Sequence, residues 1–310
     1  MITDQQRQTR QRYIGSSDAA AVMGLDPYRS AADIFLEKTG QADGFAGNEH
    51  TERGNRLEGA LLDFAEAELA ASLSRNYMKV HDGGVLAANF DGIQWKVHNG
   101  TITAGDPGPV AVNDEPFIVE CKTSSDPDEW GEPGTDQVPD RVIVQCHHQL
   151  YVAGPEFRVA YVPVLLPVYR KFDWRIYRID RNDALAEAVA EHGTRFMREH
   201  VIPRIEPADF RPSLDVLKRV RREPNKRVPI DAALVNAFCD ARDAAKVAND
   251  ALDEAKRDVI AALADAEAGD CEDGRAVTFM ECARKGYVVE PTTYRQLKFI
   301  TAARAAKERR

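Results

Sequence analysis

The sequence predicts an α/β (α+β) fold of helices and short strands, followed by a long C-terminal helix and a small β-hairpin. Three observations predict it. Apolar residues recur at helical spacing between residues 15 and 73, and again over 141–153 and 181–200. Between them lie short runs of strand-like alternation bounded by Gly, Pro and Asp. From Leu234 onward an apolar seam steps alternately by four and three, which is a heptad repeat.

In chain order, a Ser/Asp cap in GSSDAAAVMG leads into a short Ala-rich helix that stops at Gly24, and Pro27 marks a turn. Ser30 caps a second helix with Ile34 and Phe35 on its buried side, ending before Gly40. A longer helix spans 51–73, where Leu57, Leu61, Phe64, Ala65 and Leu69 recur at helical spacing and Glu58 falls one residue past that stripe. Beyond Tyr77 the pattern changes to strands. Residues 83–89 run up to Asp91-Gly92, and 92–98 alternate like a hairpin partner. Residues 100–115 form an inserted loop, 117–122 (FIVECK) the next strand, and 124–140 a second loop. A helix over 141–153, strands over 158–165 and 172–179, and a helix over 181–200 complete a first domain, 1–212. The second domain, 213–310, holds the heptad helix and a hairpin of AVTFMEC and KGYVVE turning at Ala283-Arg284. Its helix of about 36 residues would be about 54 Å long. Most seam positions are Ala, so a partner helix must pack closely or the seam is weak.

Composition narrows the function classes. The 310 residues are 44% hydrophobic and 29% charged, with no long biased tract, as in globular proteins. No stretch approaches the roughly 18 apolar residues of a membrane helix. The polar N-terminus lacks the apolar core of a secretory signal, so a cytoplasmic protein without a membrane partner is expected. Five cysteines without a CxxC pair give no support to structural zinc, an iron–sulfur cluster or a disulfide framework. The net charge of −9 weighs against electrostatic coating of nucleic acid. Cations nevertheless cluster, six in 218–227 (KRVRREPNKR) against Glu223 and six in 295–310 against Glu308, and both strips are candidate contacts for DNA or a protein partner.

The chemistry concentrates on Asp91, Glu120 and Lys122. In a strand, residues two apart share a face, so the Glu120 carboxylate and the Lys122 ammonium point together while Phe117, Val119 and Cys121 supply packing. An acid and a base in an apolar strand need partners to offset desolvation. A divalent cation held by Asp91 and Glu120, with the Cys121 carbonyl as a further ligand, meets that need and leaves Lys122 for the attacking water or the scissile phosphate. The same fragments also suit a surface ion pair on a strand edge beside an ordinary Asp-Gly turn. His147 and His148 are adjacent on a helix and cannot both face one metal.

Over roughly residues 8–210 the chain resembles the lambda-exonuclease family of YqaJ-like viral recombinases. The fragments that carry the resemblance are RYIGSSDAAAVMGLDPY, EKTG, RGNRLEG, AANFDG, VECKTS and QCHHQLYVAG, in that order. The resemblance implies a PD-(D/E)XK, restriction-endonuclease-like core with a central mixed sheet flanked by helices. It implies catalytic roles for Asp91, Glu120, Lys122, Glu58 and Gln145. Asp91 and Glu120 would be metal ligands, Glu58 a further acidic group facing the metals, and Gln145 an orienting group. Arg12 and Ser17, or Ser16 where the family usually has glycine, would bind a 5′-phosphate; a cation and a hydroxyl at a helix N-terminus suit an anion physically as well. The 29 residues from Asp91 to Glu120 exceed the spacing in compact members, the Gly/Pro-rich loop accounting for the excess. The implied activity is a Mg²⁺- or Mn²⁺-dependent 5′→3′ exonuclease, with two ions per site, acting on double-stranded DNA ends. It would leave a 3′ single strand for a single-strand annealing protein, in a homo-oligomer that the family suggests is a trimer. Alternatives are an endonuclease on the same core and a non-catalytic DNA-end-binding or assembly subunit.

Overall fold

The computed structural model describes residues 11–281 apart from 46, 96, 99–100, 103–114, 169–170 and 225. It divides into two compact units, Met1–Arg221 and Arg222–Arg310. The first runs through β1 (Ile14–Gly15), α1 (Ser16–Val22), α2 (Ala31–Lys38), α3 (Glu49–Leu69), β2 (Ser74–Val80) and β3 (Leu86–Gln94). It continues with β4 (Val97–His98), β5 (Thr101–Ile102), β6 (Phe117–Val119), β7 (Lys122–Thr123), α4 (Asp140–Ala153), β8 (Val159–Val168), β9 (Lys171–Asp180), α5 (Asp183–Phe196) and α6 (Leu214–Arg219).

Seven strands form one mixed sheet. In one half β3 lies parallel to β1 and antiparallel to β2 and β6. In the other, β8 lies parallel to β6 and β7 and antiparallel to β9. Both faces are covered. Phe117 and Val119 of β6 pack with Leu62 and Ala65 of α3, whereas Ile118 joins the larger cluster of Ile14, Phe35, Phe90, Leu150 and Tyr177. That two-sided burial makes β6 apolar throughout.

Two strand expectations are corrected. Asp91-Gly92 is not a turn: β3 runs unbroken through both residues, and its hairpin partner is β2, joined by His81-Asp82-Gly83-Gly84 with Gly84 at φ +76°. Gly92 is required for a different reason. A Cβ there would lie 2.9 Å from both Leu62 Cδ2 and Leu73 Cδ1, so glycine lets α3 and the chain after it close onto β3. FIVECK is likewise not one strand, since β6 stops at Val119 and β7 begins at Lys122. In the register that pairs Val119 with Tyr161 and Lys122 with Val164, the Glu120 N–H donates to the Tyr161 carbonyl. The returning bond would come from residue 163, which is proline and has no N–H.

The helices keep close to their expected places. The expected helix 51–73 is α3, which starts earlier on an Asn48 cap and ends where Ala70 turns left-handed at φ 48°. The compact unit extends past Pro212. Ser213 N–H donates to Asp33 Oδ1 at 2.7 Å, and Val216 of α6 is fully buried. Of the inserted loop, 101–102 pair with 97–98, and 103–114 lie outside the described residues.

In the second unit the heptad seam forms α7 (Ala232–Leu263), capped by the Asp231 side chain. Leu234, Phe238, Leu252 and Val259 of the seam are exposed. β11 (Ala276–Thr278), the first strand of the expected hairpin, pairs with β10 (Ala268–Asp270), around a Cys271–Arg275 turn in which Gly274 takes φ +85°. The Asp-Gly pair at 273–274 is the local signal for that turn. Residues 285–290, expected as the partner strand, and the basic tail 295–310 lie outside the described residues. Among the described residues no helix is long and apolar enough to cross a membrane.

Gly92→Ala should destabilise the chain by about 1–3 kcal/mol, the usual scale of overpacking a filled core. Chemical denaturation of the two proteins side by side measures it.

Candidate active site

The break between β6 and β7 opens a fork in the sheet. Antiparallel pairing of β3 with β6 ends at Gly92 and Val119. Beyond that pair a side chain takes over from the backbone ladder: the Cys121 N–H, two residues past Val119, donates to Oδ2 of Asp91, one residue from Gly92, at 2.8 Å.

Glu120 stands at the centre with 5% exposure. Its Oε1 accepts from Lys122 Nζ at 2.7 Å and from Gln145 Nε2 at 2.6 Å, and its Oε2 accepts from Gln149 Nε2 at 2.6 Å. The Gln145 carbonyl oxygen in turn accepts from Lys122 Nζ at 2.9 Å. Glu120 in the break and Lys122 at the start of β7 meet Gln145 and Gln149, which the 3.6-residue period sets on one face of α4. The structure thus brings together Asp91, Glu120, Lys122 and Gln145. Glu58 approaches from α3, where the Cys121 thiol lies 3.9 Å from its carbonyl oxygen. Gln149 was not singled out from the sequence, although its spacing of four from Gln145 was the available signal.

The electrostatics are those of crowded acids. Burial, then the Glu120 charge, raises the Asp91 carboxyl well above the usual carboxylate range, against the Cys121 N–H and the Lys122 charge. Burial and Glu120 also raise Glu58. Burial works to lower Lys122, but Glu120, aided by Asp91, outweighs it and holds the ammonium above an ordinary lysine. Three carboxylates thus face one cation. Glu120 accepts three hydrogen bonds, and a carboxylate offers about four acceptor sites, so one remains. Among the described residues no three His, Cys, Asp or Glu side chains close around a common point. An oxygen-ligated Mg²⁺ does not need that, because it keeps several waters and takes one or two carboxylates.

The expected phosphate residues form a separate group. Ser17 and Arg12 are exposed, whereas Ser16 is 6% exposed and its Oγ has no hydrogen-bond partner among the described residues. Among these residues no hydrogen bond or ion pair links the group to the carboxylates. Beside it, Asp18 caps the Gly15 N–H and pairs with Arg29 and Lys38 at 3.1 and 2.6 Å. Burial opposes the Asp18 charge, but Lys38 and Arg29 prevail and hold its carboxyl well below the usual range. The basic strip at 218–227 is partly engaged: Arg219 pairs with Glu37 and Asp215, Arg221 with Asp43, and Lys226 with Glu223.

Neither histidine of α4 faces the acids. His147 Nδ1 meets the Ile143 carbonyl, and its Nε2 accepts from the Asn182 N–H. His148 Nε2 meets the Ala87 carbonyl inside the core, and burial pushes its pKa down to about 4. A base with a depressed folded pKa stabilises above its unfolded pKa and loses that stabilisation as the pH falls. Stability should therefore drop from about pH 6.5 to about pH 4, by up to about 3 kcal/mol from this residue. Denaturation of wild type and His148→Gln across that range should show a shallower acid slope in the variant.

Comparison with known proteins finds the following similarities. A family model for the YqaJ-like viral recombinase domain matches residues 6–156. The uncharacterized protein YqaJ of Bacillus subtilis (strain 168) is 28% identical over 233 residues, covering 72% of this chain and 66% of that protein. The match thus spans just under two thirds of that relative. Among solved structures, the alkaline exonuclease LHK-Exo of Laribacter hongkongensis is 18% identical with a TM-score of 0.46, covering 66% of this chain and 94% of that one. The same exonuclease in complex with dAMP gives 18% and 0.47 over the same shares.

Proposed function

We propose, from the match of residues 6–156 to the model of the YqaJ-like viral recombinase domain, that the chain is a metal-dependent 5′→3′ exonuclease acting on double-stranded DNA ends. The observation that supports this most is the Glu120 carboxylate, buried at the fork and gripped by Lys122, Gln145 and Gln149 beside two further carboxyls of raised pKa. An excess of buried negative charge with spare acceptor capacity fits a divalent cation.

Asp91, Glu120 and the Cys121 carbonyl would hold Mg²⁺ or Mn²⁺, with Glu58 the added acid for a second ion. Bound there, such ions supply a water of lowered pKa and stabilise the leaving oxygen. Lys122, kept as an ammonium by its neighbours, orients the water or a phosphate oxygen and offsets negative charge in the transition state. It does not take a proton while so held. Gln145 keeps Lys122 and Glu120 in fixed relation. Arg12 and the exposed Ser17 would bind the 5′-phosphate. Asp18 beside them is compensated by Arg29 and Lys38, so it does not repel an anion as a bare carboxylate would. The product would be a 3′ single strand handed to a single-strand annealing protein, with the chain acting as a homo-oligomer.

Linear duplex labelled at either end, with a closed circle alongside, tests the reading in Mg²⁺ and Mn²⁺. Loss of the 5′ label first with the circle intact is expected; a cut circle would indicate an endonuclease, and no cutting in either metal a DNA-end-binding subunit. Lys122→Ala should lower kcat by roughly 10²–10⁴-fold while DNA binding persists. Arg12→Ala should erase the preference for phosphorylated over hydroxyl 5′ ends, which rates on the two substrates measure; equal loss on both ends would count against the pocket.

A further inference from the structure

Gln149 is fully buried, one helical turn beyond Gln145 on α4. Its Nε2 has two partners, both pure acceptors: Glu120 Oε2 at 2.6 Å and the Asn89 carbonyl oxygen at 3.1 Å. The amide orientation is therefore fixed by chemistry, because the flipped form would set an oxygen against two oxygens. Its own Oε1 is buried with no hydrogen-bond partner among the described residues. An unsatisfied buried acceptor opposes folding, so stability alone does not account for a glutamine here.

The two bonds join opposite sides of the fork. Asn89 lies on β3 two residues before Asp91, and Glu120 lies across the gap. Backbone pairing between β3 and β6 has ended at Gly92 and Val119, so the ladder no longer sets the separation of the two strands. Two other bonds take over. The Cys121 N–H ties Asp91 to the backbone next to Glu120, and Gln149 ties Glu120 to the backbone next to Asp91. Gln145 makes a different link, from Glu120 to Lys122.

We propose that Gln149 is a positioning residue that sets the spacing of the Asp91 and Glu120 carboxylates, and through it the affinity of the fork for a divalent cation. Gln145 serves the Lys122 side instead. The proposal rests on the metal-dependent reading above, and the test separates the two.

The full-length chain is titrated with Mn²⁺ by calorimetry in the absence of DNA, and Mg²⁺-dependent digestion of linear duplex is followed in parallel. Gln149→Met keeps the volume and removes both N–H donors. It should weaken Mn²⁺ binding by roughly 10–100-fold, the range for groups that orient a metal ligand, with kcat lowered and KM for DNA within about twofold. Its metal-free melting midpoint should not fall. Mn²⁺ affinity within about twofold of wild type in the folded variant overturns the proposal. So does a lowered midpoint with unchanged affinity, which would reduce Gln149 to core packing. Should Gln149→Met not fold, Gln149→Asn, too short to span both acceptors, is read by the same criteria. A wild-type chain that neither binds Mn²⁺ nor cuts DNA overturns the nuclease reading itself; a binding wild type with an unaffected variant overturns only the role of Gln149.

Discussion

A carboxylate removed from water must be met by donors or lose its charge, and much of the architecture around the fork answers that requirement at Glu120. Pro163 cannot return the ladder bond to the Glu120 backbone, so the central strand breaks there and the side chain sits at a discontinuity in the sheet. α4 then presents two glutamines one turn apart, and β7 presents Lys122 two residues along, so that three donors converge on a single acid. The remaining acids, Asp91 and Glu58, are left with less compensation. Their raised pKa values express that imbalance, the observation on which the proposed cation site rests.

Asp18 shows the opposite outcome for the same kind of group. It too is buried, but Arg29 and Lys38 both reach it, and its pKa is lowered where that of Asp91 is raised. Arg29 continues to Glu37, and Glu37 to Arg219 on α6, so one chain of charges binds α1, α2 and α6. Removing one member of such a network leaves its partner buried and unpaired, which costs about 3–5 kcal/mol in comparable buried pairs. This network balances its buried charges, whereas the fork leaves its acids in excess over the single Lys122. The distinction follows from the number of cations within reach, not from residue type.

The second unit is organised differently. α7 is 32 residues long with no buried residue, so capping by Asp231 and the high helix propensity of its many alanines sustain it rather than core packing. Its apolar seam, regular in sequence, is exposed along α7.

Periodicity alone determined the mixed α/β class, the positions of the helices and the pairing of Glu120 with Lys122, because strand and helix periods dictate which side chains share a face. Fragment resemblance singled out Gln145 and Glu58, which no periodicity would have selected. Only the tertiary structure decided the rest. Asp91-Gly92 reads as a turn in one dimension, but Leu62 and Leu73 arrive from elsewhere in the chain and make it a close-packed strand centre. FIVECK reads as one strand, and Pro163, far along the chain, interrupts it at Glu120. The extension of the first unit beyond Pro212 depends on Asp33 and Glu37 meeting Ser213 and Arg219. Gln149 becomes visible only once β3 and β6 have parted around it. Each of these turns on contacts between residues distant in sequence, and local patterns carry no information about which distant groups will meet.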